Sequence, residues 1–187
     1  MTRSNSSMPL DNPSSPTSRL PPELLVKIFG CFVTDSNPAI LLQICHRWAD
    51  IASSVSTLWS RIDFSTPPEP LLQRSANQPI DVILLSSPVV PTLGRRKAVK
   101  EVLFHYNDRI RKLVLNLLAS HLRAIEPELS GTFPILVDVS ISALPDHAGA
   151  RAPYFPKWKP TVIPPLQSVT LNYCMSKHLG FWVASRI

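Results

Sequence analysis

Large apolar side chains recur with the period of an α-helix near the start of the chain. Leu24, Leu25, Ile28, Phe29 and Phe32 are spaced so that they fall on one face of such a helix. Pro21 and Pro22 precede them, and proline is tolerated in a first helical turn because the N–H it lacks would have no intrahelical partner there. The pattern predicts a helix that begins at these prolines and ends in the polar run around Asn37.

A second helical pattern begins directly after that polar run. Asn37 and Pro38 make a favourable start, as the cap and the first helical residue. The apolar positions that follow with helical spacing are Leu41, Ile44, Cys45, Trp48, Ile51, Ala52 and Val55. The stripe is compatible with two short helices, and Leu58 and Trp59 add a last apolar pair.

These two patterns describe a helical unit of about 45 residues, a size at which a domain buries its core incompletely. Its large apolar side chains outnumber what so small a core can hold, so we interpret the surplus as an interface for another protein. The pattern alone leaves one alternative, in which a plain helical hairpin packs on the rest of the chain.

The middle of the chain predicts a strand followed by a helix. Ile80–Leu85 alternates as a strand does, with Val82 and Leu84 on one face. Val99, Val102, Leu103 and Tyr106 then recur at helical spacing and predict an amphipathic helix.

One apolar pattern occurs three times in the second half of the chain. It starts at Ile110, Leu136 and Leu166 and places apolar residues at its first, fourth and sixth positions. A helical stripe at 118–129 lies between the first two copies and is followed by Gly131, a common helix terminator. A strand–helix–strand unit of this length forms a right-handed crossover, so we expect the strands to be parallel.

The three copies lie about 26 to 30 residues apart and resemble leucine-rich repeats, whose period is about 20–29 residues. They are irregular, and an ordinary small α/β layer is the alternative. Residues 175–187 look like the start of a return helix that stops short, whereas a solenoid needs a polar terminal cap. The hypothesis is therefore that the chain is a truncated or shortened relative of a longer protein.

Composition limits the class of protein and its compartment. The chain has 187 residues and a net charge of +6, and residues 1–18 are rich in Ser, Pro and Asn, which predicts a disordered tail. The sequence shows no apolar run long enough to span a membrane and no secretory signal. Three widely spaced cysteines argue against a disulfide framework or a zinc site and predict free thiols in the cytoplasm or nucleus.

Candidate chemistry is sparse. The sequence contains no nucleophile elbow, Gly-rich phosphate loop or zinc-protease motif, so we assign no catalytic residue, cofactor or metal ligand and expect a non-enzyme. Arg95, Arg96, Lys97 and Lys100 form the densest basic run. We favour a solvated helix face over nucleic-acid contact there, because only four charges cluster and no aromatic residues are interleaved.

Three blocks in the first third of the chain resemble an F-box. They are Leu20-Pro21-x-Glu23-Leu24-Leu25-x-x-Ile28-Phe29, Ile44-Cys45-x-Arg47-Trp48 and Leu58-Trp59, in the order and at the spacing of that family. F-boxes are three-helix modules that bind the Skp adaptor of cullin-type ubiquitin ligases. The resemblance implies that the adaptor contacts are Leu20, Pro21, Ile28, Phe29, Ile44, Cys45, Trp48, Leu58 and Trp59. A weaker likeness to fungal-type F-box-like proteins continues through Leu72-Gln73-Arg74-Ser75 and Pro79-Ile80.

We therefore expect an α/β protein with a disordered tail at 1–18, a three-helix F-box at 19–64, a linker at 65–79 and a short, irregular leucine-rich-repeat-like region of parallel strands and helices at 80–187. The resemblance implies the substrate-recognition subunit of a Skp–cullin–F-box ubiquitin ligase, with the Skp adaptor on the F-box and an unknown protein substrate on the repeats. Two alternatives stay open: a non-ubiquitin scaffold or degenerate F-box-like protein, and a basic surface that binds nucleic acid.

Overall fold

A computed structural model describes residues 19–33, 37–85, 93–146 and 164–173. The predicted tail at 1–18 and the predicted return helix at 175–187 lie outside these residues. The described chain forms two compact units. The N-terminal unit comprises residues 19–60 together with 72–76, and the sheet unit comprises 61–71 and the described residues from Asn77 onward.

The N-terminal unit is helical. Its elements are α1 (Pro22–Phe32), a 3₁₀ helix (Pro38–Gln43), α2 (His46–Ser54) and a second 3₁₀ helix (Ser56–Trp59). The predicted start of α1 at the prolines is confirmed, as is the division of the second apolar stripe into two short helices. The side-chain oxygen of Asn37 accepts a hydrogen bond of 2.9 Å from the Ala39 N–H, which confirms the predicted cap.

Two aromatic side chains form the centre of this unit. Phe29 of α1 is fully buried, and its ring centroid lies 4.8 Å from that of Trp48 in α2. Trp59 is also fully buried, and its Nε1 donates a hydrogen bond of 2.8 Å to the Ala52 carbonyl. The indole N–H is thus satisfied, so the ring can be buried without leaving a polar atom unpaired.

The sheet unit is built on one five-stranded parallel sheet whose strands stand in chain order. The strands are β1 (Arg61–Ile62), β2 (Ile80–Leu85), β3 (Ile110–Leu118), β4 (Asp138–Leu144) and β5 (Ser168–Tyr173). The helices are α3 (Glu69–Arg74), whose last residues cluster with the N-terminal unit, α4 (Leu93–His105) and α5 (Ala119–Leu129), with a 3₁₀ turn at Asn107–Arg109. The predicted mixture of helices with parallel strands is confirmed. None of the described helices is long and apolar enough to cross a membrane.

The strand register follows the repeated apolar pattern. Leu113 of β3 pairs with Val139 of β4, which pairs with Val169 of β5, so the fourth positions of the three copies lie side by side. Their sixth positions form a second row, Leu115, Ile141 and Leu171. In β3 and β4 these residues are almost fully buried, and α5 packs against both strands. A sheet with this alternation turns one face to the helices and the other away from them.

Charges of alternating sign cross the other face of the sheet. Arg61, Asp81, Lys112 and Asp138 are neighbours in register on four adjacent strands. Lys112 pairs with Asp138 at 2.7 Å, and Asp81 pairs at 2.9 Å with Arg111, the extra residue at a register shift in β3. Each exposed ion pair contributes no more than about 1 kcal/mol to stability, but together the pairs favour the observed strand register over similar ones.

The first turn of α5 is tied to the end of β4. Both the backbone N–H and the hydroxyl of Ser120 donate to one carboxylate oxygen of Asp146, at 3.0 and 2.6 Å, and these bonds hold the pKa of Asp146 below its usual value. His121 beside them is buried. Its burial lowers the pKa of the imidazole, the positive charge of Arg96 lowers it further, and Asp146 opposes that change.

The packing of α1 predicts unequal costs for its two phenylalanines. Phe29→Ala should reduce the free energy of unfolding by about 3–5 kcal/mol, because it empties a fully enclosed site. Phe32→Ala on the same helix is the matched control and should cost far less, because Phe32 is 38% exposed. Chemical denaturation followed by circular dichroism measures both, and equal losses would contradict this assignment of the core.

The environment of His121 predicts an acid-sensitive fold. Because the folded state lowers its pKa from 6.5, the unfolded chain takes up the proton first, and the resulting stability is lost as the pH falls below that value. The melting temperature should therefore drop between neutral pH and about pH 5 in the wild type and drop less in His121→Gln. His105→Gln, at an exposed position, should keep the wild-type slope. An unchanged slope in His121→Gln would count against the assignment.

Candidate functional site

The nine residues predicted to contact the adaptor divide into three groups by exposure. Pro21, Ile28 and Ile44 are exposed. The partly exposed positions are Leu20, Cys45 and Trp48. Phe29, Leu58 and Trp59 are buried, so in this conformation their side chains support the unit from inside and offer little surface to a partner. The adaptor-binding role of the set stays a prediction.

One side of α1 carries large apolar side chains that face away from the core. Leu24, Ile28 and Phe32 follow one another at intervals of four residues and are 46, 46 and 38% exposed. Residues four apart lie on the same side of a helix, so these three form one stripe, which we call the apolar face of α1. The neighbouring column, Leu25 and Phe29, is fully buried and packs inward. The helix therefore has two adjacent apolar columns, one inside and one outside.

The 3₁₀ helix next to α1 adds two more exposed side chains. Ile40 is 48% exposed, and Ile44, just after that helix, is 41% exposed. Single exposed apolar residues are ordinary on protein surfaces, but five on one small unit are typical of a protein-binding surface.

A long-range hydrogen bond fixes the segment that leads into α1. The guanidinium Nη2 of Arg47 in α2 donates to the carbonyl oxygen of Leu20, which lies 27 positions earlier. The bond joins the start of α1 to α2, and the contact between Phe29 and Trp48 joins the same helices further along. The helix that carries the apolar face, with the segment that leads into it, thus contacts α2 at both of these positions.

Sequence reasoning missed Leu24, Phe32 and Ile40 as surface residues. The two α1 residues were assigned with Leu25 and Phe29 to a single helical face. A signal was present, because residues 24, 28 and 32 repeat at intervals of four while 25 and 29 form a parallel column. The pattern did not show which column would face the second helix.

Two of the four cations in the basic run on α4 form ion pairs. Lys97 pairs with Glu101 at 3.7 Å, and Lys100 pairs with Glu128 of α5 at 3.1 Å. The side chain of Arg95 lies outside the described residues. Because two of the four cations already face carboxylates, the run offers less free positive charge to a phosphate backbone than the sequence alone implies.

Asp138, Asp146 and His147 are not spaced in the sequence as a known catalytic pair or triad. Asp138 pairs with Lys112, and Asp146 accepts two bonds from Ser120 at the start of α5. His147 lies outside the described residues. Within the described ranges, no group of three or more His, Cys, Asp or Glu side chains is placed to hold a metal ion.

Comparison with known proteins identifies the helical part of the chain. Residues 17–65 match the family model described as F-box-like, and this match covers a limited part of the 187-residue chain. No curated protein and no solved structure matches the chain significantly. The matched residues include α1, both 3₁₀ helices, α2 and the exposed apolar face. Residues 17–65 are therefore an F-box-like domain, a type of module that works through protein–protein interaction.

Proposed function

We propose that the chain is the substrate-recognition subunit of a Skp–cullin–F-box ubiquitin ligase, which docks the Skp adaptor through its F-box-like domain and a target protein through the sheet unit. The observation that carries the proposal is the apolar face of α1 within the residues that match the family. F-box domains typically bind the Skp adaptor. The apolar side chains of the N-terminal unit and the strand arrangement of the sheet unit support the two binding roles.

The apolar face gives the adaptor a hydrophobic anchor. Leu24, Ile28 and Phe32 are close to half exposed, and full burial of such a side chain contributes about 1.5–3 kcal/mol. Because each residue is already partly buried, binding adds only part of this free energy. The loss of translational and rotational freedom of the two partners offsets some of it. The three residues therefore supply part of the affinity, and a stable complex needs further contacts around them.

The predicted contacts fit this picture in two roles. In this proposal the exposed residues touch the adaptor directly: Pro21, Ile28 and Ile44, together with Leu24, Phe32 and Ile40. The buried residues act indirectly, because their packing keeps α1 and the 3₁₀ helices in position; these are Phe29, Leu58 and Trp59. Leu20, Cys45 and Trp48, partly exposed, lie between these roles.

The sheet unit is the proposed target-binding part. Its strands are parallel and stand in chain order, and its apolar rows repeat from strand to strand, as in a short leucine-rich-repeat-like solenoid. Repeats of this kind present one sheet face free of helices, which is a suitable platform for another protein. Holding target and adaptor on one chain raises their effective concentration, so the ligase acts without covalent chemistry by this subunit.

Two other functions compete with this proposal. A non-ubiquitin scaffold, or a degenerate F-box-like chain, would bind the adaptor without a cullin or bind neither, so the presence of a cullin in an adaptor pull-down separates them. Nucleic-acid binding through the basic run on α4 is less well supported, because Lys97 and Lys100 are ion-paired.

The proposal predicts that a charge on the apolar face prevents adaptor binding. Ile28→Asp should abolish co-purification of the Skp adaptor, because a carboxylate would be buried without a partner at the centre of the stripe. Phe104→Asp is the matched control, because Phe104 is 67% exposed on α4 of the sheet unit. This variant should bind the adaptor as the wild type does. Circular dichroism of both variants confirms that helicity is kept. Undiminished co-purification by folded Ile28→Asp would remove the proposed contact.

A further inference from the structure

Five residues beyond the family match belong to the N-terminal unit. The match ends at residue 65, yet Leu72–Ala76 cluster with residues 19–60 and not with the strands on either side of them in the sequence. Leu72 is 5% exposed and Ser75 is fully buried. Two residues of a segment predicted as part of a linker are thus buried.

A cation–π contact links this segment to the F-box-like domain. The guanidinium carbon of Arg74 lies 4.9 Å from the ring centroid of Trp59. Trp59 is fully buried although Arg74 itself is exposed, so the guanidinium helps to separate the indole from solvent. The indole N–H of the same residue donates a hydrogen bond to the Ala52 carbonyl of α2.

The backbone after Arg74 is fixed in an unusual conformation. Ser75 donates its hydroxyl to the Leu72 carbonyl at 2.9 Å, and the Ala76 N–H donates to the Gln73 carbonyl at 3.2 Å. Ala76 has a φ of 47°, in the left-handed region that costs a residue with a side chain more than glycine. Such a conformation persists where surrounding contacts determine it, which indicates that the turn is held in place.

We propose that Leu72–Ala76 is an integral part of the adaptor-docking module, with Arg74 as a positioning residue that secures Trp59 and, through Ala52, the α2 helix that supports the apolar face. This rests on the proposed docking function. The functional module accordingly comprises residues 19–60 together with Leu72–Ala76, and these last five residues lie beyond the family match. Arg74 needs no contact with the adaptor for this role.

The test uses the full chain and amide hydrogen exchange, which reports opening of each segment separately. In Leu72→Ala, the opening of α2 should increase by at least about tenfold, while exchange in β3 and β4 stays as in the wild type. In Arg74→Ala, α2 opening should rise by about two- to fivefold, and Arg74→Lys should restore part of that loss because a lysine cation also attracts the indole face. Gln73→Ala, at an exposed position of the same helix, is the matched control and should change nothing.

A second arm links the segment to binding. Adding purified Skp adaptor at about 100 times its Kd should slow exchange in α2 and in Leu72–Ala76 alike, by on the order of 100-fold where global opening of the module limits exchange. The same adaptor should leave the exchange of β3 and β4 unchanged.

The outcomes separate this inference from the proposed function. If the wild type fails to bind the adaptor, the docking function is wrong. Hydrogen exchange of the Leu72 and Arg74 variants still decides whether the segment belongs to the module. The inference is overturned if Leu72→Ala and Arg74→Ala leave α2 exchange unchanged. It is also overturned if they loosen β3 and β4 as much as α2, or if bound adaptor protects α2 without protecting Leu72–Ala76.

Discussion

The structure depends on how an eleven-residue helix divides its apolar side chains between inside and outside. Helix α1 has two adjacent apolar columns, and the small unit around it covers only one of them. Leu25 and Phe29 pack inward, so Leu24, Ile28 and Phe32 are left facing outward. A larger domain would have a further element to cover the second column, whereas a unit of this size has too little chain to do so. The exposed apolar face of α1 is therefore a direct consequence of the core arrangement.

Trp59 connects the parts of the N-terminal unit that are distant in the sequence. Its indole N–H binds the Ala52 carbonyl of α2, and its ring lies under the Arg74 guanidinium. The family match ends at residue 65, between Trp59 and Arg74, whereas the compact unit also includes Leu72–Ala76. Family boundaries follow similarity of sequence, and a compact unit follows burial, so the two limits need not coincide.

The sequence predicted the features that depend on local pattern. The start of α1 at Pro21–Pro22, the Asn37 cap and the parallel direction of β3 and β4 follow from residue spacing and short-range preference. Periodicity shows which face of a helix is apolar, but not which part of that face another element will cover. The burial of Phe29 and the exposure of Leu24 therefore required the tertiary structure. The contact of Arg74 with Trp59 required it too, because it joins residues that no local pattern relates.

The alternating charges on the open face of the sheet bear on how the strands find their partners. The apolar rows are so alike that they give little basis for distinguishing one neighbour from another. Exchanging β3 and β4 would bring Asp81 beside Asp138, and shifting a strand by two residues would separate each carboxylate from its cation. Both arrangements keep the apolar side chains buried, so hydrophobic collapse alone would tolerate them. The alternation of charge signs thus disfavours misassembled sheets relative to the native one, although each ion pair is weak by itself.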